Sequence, residues 1–196
     1  MSFQINNAVF ADYIGSLNFT FTPSTLRLIG IRGVDLNDDG SISLNGNAPN
    51  LYNDLVGCWG NEFQLWQATV DPGIAESPNP LGMAHLAGLE DQGRPYKFVH
   101  GTHKGQYPCL VQGEDVIVHR PRKDPDVGQF AIEIHHGGTA NEVDNWSEGC
   151  QVIRNDSGEW NEFWTMVQSS GQDEFTYFLI DGEALAQHTG ALVAQS

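Results

Sequence analysis

The sequence predicts a mainly β, β-rich α+β fold, and three observations lead there. Its 22 glycines and 9 prolines are scattered between short apolar runs instead of gathered in one tract, which is the punctuation of many turns joining short strands. Several of those runs alternate apolar and polar residues with the period of a strand that buries one face. A single segment near the C-terminus carries the three-to-four-residue period of an amphipathic helix. The chain of 196 residues is long enough for one sizeable core, and neither a linker nor a compositional break divides it. Residues 1–196 are therefore read as one domain.

The elements follow in order. Residues 25–32, Thr-Leu-Arg-Leu-Ile-Gly-Ile-Arg, read as a strand, and the Gly/Asn/Asp-rich stretch 33–50 as a long loop or hairpin. Residues 61–70 alternate as a strand that stops at the strong turn Asp71-Pro72-Gly73. Further strands are expected at 96–100, 108–112, 115–119 and 129–135. Trp160, Phe163, Trp164 and Val167 then fall on one helical face, with Ser157 or Asp156 as the N-cap. That aromatic stripe reads as core packing in preference to a sugar-stacking surface. Residues 174–181 form a last strand returning to the sheet.

Nine Lys and Arg against 25 Asp and Glu give a formal net charge of −16. Such a chain repels polyanions, so nucleic acid is not an expected partner, whereas cationic groups on a partner are attracted. The N-terminal residues lack the basic and apolar regions of a secretory signal, and no apolar run is long enough to span a bilayer. Cys58, Cys109 and Cys150 are too few to pair completely and lie far apart, so at least one thiol is expected to be free.

The chemistry concentrates in Ile134-His135-His136-Gly137-Gly138, a polar loop, and Ser147-Glu148-Gly149-Cys150-Gln151. Two strand-like pieces bracketing a loop can set an imidazole beside a thiol, and an imidazole that takes the thiol proton generates the sulfur nucleophile. Gly149 removes a Cβ just before Cys150, which would let a substrate carbonyl approach, and Gly137 and Gly138 would let the chain turn sharply.

Ile-His-x-Gly followed by Ser-x-Gly-Cys and an apolar strand resembles the active-site signature of the L,D-transpeptidase family. Asp71-Pro72-Gly73 and Pro80-Leu81-Gly82 resemble the turn that precedes it. The resemblance covers roughly residues 61–153 and extends weakly to 181, leaving 1–60 as N-terminal strands and a loop outside it. It implies a β-sandwich or barrel with one C-terminal helix, Cys150 as nucleophile, His135 as base with His136 as the fallback, and Ser147 and Gly149 shaping the nucleophile loop. It implies acyl transfer through a thioester, by transpeptidation or hydrolysis, on the stem peptide of peptidoglycan. His100, His103, Lys104, Tyr107, Gly137 and Gly138 are the expected substrate-binding residues. The sequence departs from the family at Glu148, where a second histidine is usual, and at Val152, where an arginine is common. An acid beside a thiol raises its pKa.

Two other sites compete. His100, His103, Glu133 and His135 or His136 supply the donors of a three-ligand zinc site, which would make the protein a zinc-dependent murein peptidase. Asp35, Asn37 and Asp39, followed by Gly40, have the alternating oxygen donors of a calcium loop, although position twelve is Gly46. The thiol chemistry itself needs no cofactor. Action on the bacterial wall without a secretory signal points to a phage, through a lysis system or as a part of the virion. The rival from another class is a non-catalytic phage structural or tail module that retains the fold.

Overall fold

A computed structural model describes residues 2–20, 22, 24–73, 79–92 and 94–195, the side chains of 191–195 apart. In chain order the elements are β1 (Ser2–Gln4), α1 (Asn7–Ser16), β2 (Arg27–Arg32), β3 (Val34–Leu36), β4 (Ser41–Leu44), β5 (Asp54–Trp59), β6 (Phe63–Thr69), β7 (His85–Leu86) and α2 (Leu89–Gln92). There follow β8 (Tyr96–His103), β9 (Tyr107–Gln112), β10 (Val116–His119), β11 (Asp126–Gly128), β12 (Glu133–His136), β13 (Gln151–Ile153), α3 (Glu159–Ser169), β14 (Glu174–Asp181) and α4 (Gly182–Gln195).

Eight strands close into a barrel in the order β12-β13-β6-β5-β2-β14-β8-β9, with β9 pairing back to β12. The fold is β-rich, as expected. Closure leaves none of the eight as an unpaired edge. Two pairs are parallel, β12 with β13 and β14 with β2, and the other neighbours are antiparallel. The N-terminal third is not peripheral, because β2 and β5 are barrel staves.

The two-residue period assigns each side chain to the inside or outside of the wall. Leu28 of β2, Val56 and Cys58 of β5, Phe98 of β8 and Tyr177 of β14 point into the barrel, where they join one buried cluster. Ile29, Ile31, Leu55, Trp59, Phe178 and Ile180 point outward and would be wet, but a helical jacket covers them. Phe10, Tyr13 and Ile14 of α1 and Leu185 of α4 complete that second cluster. The jacket is the main departure from expectation: among the described residues there are four α-helices where one was read. α1 is capped by the Asn6 carboxamide oxygen, which accepts the N–H groups of Ala8 and Val9 at 2.9 and 3.1 Å.

α3 buries Trp160, Phe163 and Val167 against the inner cluster, with Trp164 half-buried, so the aromatic stripe is core. Its N-cap is Gly158, not Ser157 or Asp156; Asn155 lends its side-chain oxygen to the Trp160 N–H instead. Stretch 33–50 contains the β3–β4 hairpin, with Leu36 opposite Ile42. In it Asp39 accepts from both the N–H and hydroxyl of Ser41, Asn37 bonds Ser41, and Asp35 accepts from Asn45. Asp35, Asn37 and Asp39 thus stabilise the hairpin and its turn. No helix of the described residues is long and apolar enough to cross a membrane.

A polar spine runs through the barrel. The Tyr177 hydroxyl, wholly buried, donates to Gln151 Oε1 at 2.7 Å, and Gln151 Nε2 donates to the Gly149 carbonyl at 3.2 Å. Gly30 makes room for that hydroxyl, since a Cβ there would lie 2.0 Å from it.

Candidate active site

Alternation decides which residues share a face. On β13, Gln151 points inward to Tyr177, so Cys150 just before it and Val152 after it face outward. Across the parallel ladder Ile134 is opposite Gln151, which sets Glu133 and His135 outward too. β9 adds Tyr107 and Cys109, and β8 adds His103 opposite Tyr107 and Gly101 opposite Cys109. One patch of four neighbouring strands therefore carries His103, Tyr107, Cys109, Glu133, His135 and Cys150. Gly101 is required there, because a Cβ would come within 2.4 Å of Val111.

All three cysteines are free, and only Cys150 is more than marginally accessible, being half-buried where Cys58 and Cys109 are enclosed. The Cys150 thiol donates to the Ala131 carbonyl at 3.7 Å. Ala131 holds a left-handed φ of +55°, uncommon for a residue with a Cβ, and it turns the chain into β12. Burial pushes the thiol up to about 12; the Glu133 backbone N–H and then Lys104 oppose this, while the charge on Glu133 and, least, that on Glu148 add to it. Glu148 is exposed and is a minor influence beside burial.

His135 is 1% exposed. Its Nδ1 lies 2.8 Å from its neighbour's carbonyl, that of His136, an acceptor that fixes the proton on Nδ1. Nε2 is then a lone pair, buried and without a hydrogen-bond partner. Burial holds the ring down to about 4, reinforced by the charges of His103, His136 and Lys104. At neutral pH thiol and imidazole are thus both uncharged, and the thiol's hydrogen bond goes to a backbone carbonyl and not to the ring, so there is no preformed thiolate–imidazolium pair. His103 Nδ1 is 2.5 Å from Glu133 Oε2, and its ring lies 4.3 Å from that of His135 between centroids.

In the loop that leads to Cys150, the Ser147 hydroxyl donates to the Cys150 carbonyl at 2.8 Å and accepts the Gly149 N–H at 3.1 Å. Gly149 has a packing reason that the sequence did not show. At φ +141° its missing Cβ would sit 2.6 Å from the Ala84 carbonyl, so packing by itself requires the glycine. Gly137 and Gly138 likewise make no left-handed turn; Cβ atoms there would meet the Tyr52 hydroxyl at 2.1 Å and Trp146 Nε1 at 3.0 Å. Asp71-Pro72-Gly73 abuts this loop, with the Gly73 N–H donating to the Ser147 carbonyl at 2.9 Å.

His100 does not join the site. It lies in the other phase of β8, against Trp164 and Phe175, with Nε2 3.0 Å from the Gln172 carbonyl. His136 also leaves the Cys150 face, its ring between Tyr107 at 4.2 Å and Trp146 at 5.8 Å. It instead lines an open groove with His103, Lys104, Tyr107, Asp144 and Trp146. The sequence reading missed Ala131 and the Tyr177–Gln151 support, for which the only local signal was the inward phase of Gln151.

No family model, curated protein or solved structure matches the chain.

Proposed function

We propose that the protein is a cysteine-dependent acyl-transfer enzyme of L,D-transpeptidase type, acting on peptidoglycan stem peptides as transferase or hydrolase. The observation that carries the reading is the half-buried Cys150 sharing one barrel face with His135, whose Nε2 has a free lone pair. As the sulfur adds to a peptide carbonyl carbon, its proton passes to Nε2, and from there to the amine that leaves as the C–N bond breaks. An amine or water then attacks the thioester, gives up a proton and returns the thiol. The activation is concerted with attack, because a thiol held near 12 does not ionise beforehand. Lys104 in the adjoining groove suits a substrate carboxylate, and the net charge of −16 favours an amine-bearing acceptor. Delivery to the wall by a phage lysis system or virion belongs to the same proposal.

Incubation with isolated peptidoglycan, followed by mass spectrometry of the muropeptides, tests it. New or lost peptide bonds are expected with the natural protein and none with Cys150→Ala. Unchanged muropeptides, or equal change with the variant, would refute it. The resting thiol, bonded to Ala131 and not to a ring, favours one rival, a virion module retaining the fold without catalysis.

A further inference from the structure

We infer that His103, Glu133 and His135 form a binding site for one borderline-soft divalent cation of the zinc class. Each residue offers a ligand atom, and the three atoms lie within 4.8 Å of one another, close enough for one ion to span with small side-chain movements. A second, independent feature points to a ligand: Nε2 of His135 is buried and unpartnered on a ring that is 1% exposed. A buried polar atom left unsatisfied destabilises the fold, and a neutral ring with a lone pair is the form of imidazole that a metal requires.

The residue types choose the ion. Two imidazoles and one carboxylate suit zinc and its neighbours, whereas magnesium and calcium seek an all-oxygen shell. The surroundings are those of a metal site as well. With Nε2 as its ligand atom, His135 would keep Nδ1 on the His136 carbonyl at 2.8 Å, the backing hydrogen bond that orients a ligating ring. An ion would replace the proton now shared by His103 Nδ1 and Glu133, and that proton would move to Nε2 of the same ring. Three protein ligands leave further coordination positions open beside the groove. His100, turned away against Trp164 and Phe175, takes no part.

A bound ion and thiol catalysis would both use Nε2 of His135 and so exclude each other at any moment, but the two readings are tested separately, because the readout here is binding to the resting protein. Metal-stripped full-length protein is titrated with Co²⁺, followed by its visible absorption, and the cobalt is then displaced with Zn²⁺. One saturable site is expected, displaced by Zn²⁺ and insensitive to Mg²⁺ and Ca²⁺. His103→Gln and Glu133→Gln, each checked for a native circular dichroism spectrum, should each weaken binding by more than about tenfold. His100→Ala and Cys150→Ala should bind as the natural protein does. Absence of a saturable site, or undiminished binding in both glutamine variants, overturns the proposal; loss of binding in Cys150→Ala overturns the ligand set. A negative muropeptide assay would leave the metal site standing, and an absent metal site would leave the thiol reading standing.

Discussion

Replacing Tyr177 by phenylalanine removes one oxygen from the barrel interior and leaves the ring in place. That hydroxyl is the hydrogen-bond donor to Gln151 Oε1 at 2.7 Å, and both residues are wholly buried. Without it Gln151 keeps an acceptor in hydrocarbon that water cannot reach, and the cost is the desolvation of that group, about 1–3 kcal/mol. The ring's packing against Phe98, at 5.3 Å between centroids, is retained, so no large cavity adds to the figure. For a chain of this size, about 2 kcal/mol corresponds to a fall of about 4–8 °C in Tm. Urea unfolding of Tyr177→Phe measures it directly, and adding Gln151→Leu completes a double-mutant cycle. Part of the loss should return in the double variant, because the orphaned acceptor has gone. A Tyr177→Phe variant within about 0.3 kcal/mol of the natural protein would refute the reasoning.

Gly149→Ala should destabilise the fold by at least about 1–3 kcal/mol, since φ +141° disfavours any Cβ and the Ala84 carbonyl stands 2.6 Å from it; an unchanged Tm would remove the packing argument. His135 titrates near 4 when folded and near 6.5 as an ordinary histidine. As pH falls through that window the unfolded chain takes the proton first, so stability present above 6.5 is lost progressively down to 4. The loss from this group is about 3 kcal/mol, from 1.36 kcal/mol per pH unit. His135→Gln should therefore show a smaller drop in unfolding free energy between pH 7 and pH 4, and an identical drop would contradict the burial argument. Iodoacetamide should modify Cys150 before the enclosed Cys58 and Cys109, yet slowly at pH 7, as mass spectrometry of digests would reveal. Fast modification at neutral pH would mean a thiolate and exclude the neutral pair.

β2 and β14 were legible as apolar runs although most of their residues are buried on both faces, but β5 was not. β8 alternates and announces itself, whereas β5, Asp-Leu-Val-Gly-Cys-Trp, is buried along its whole length and has no period to read. The outer partners that bury it, α1 and α4, were missed with it; the capping Asn6 was the available signal for α1. At the site, Cys150 and His135 were visible as a local pattern because one parallel ladder joins their strands. Bringing in His103 required knowing that β8, β9 and β12 are consecutive staves, which is long-range information. His100 was separable from His103 in principle, since residues three apart on a strand face opposite ways. The reasons for glycines at 137, 138 and 149 lay in Tyr52, Trp146 and Ala84, distant partners that no local spacing encodes.

The helical jacket lies over β2, β5 and β14, away from the staves that carry His103, His135 and Cys150. If the acyl-transfer proposal holds, neither α1 nor α4 would stand between a long polymer and that wall. Turnover on such a surface would be set by bond chemistry and by how quickly product slides off. Solvent viscosity should then slow association and departure while leaving the bond-breaking step untouched.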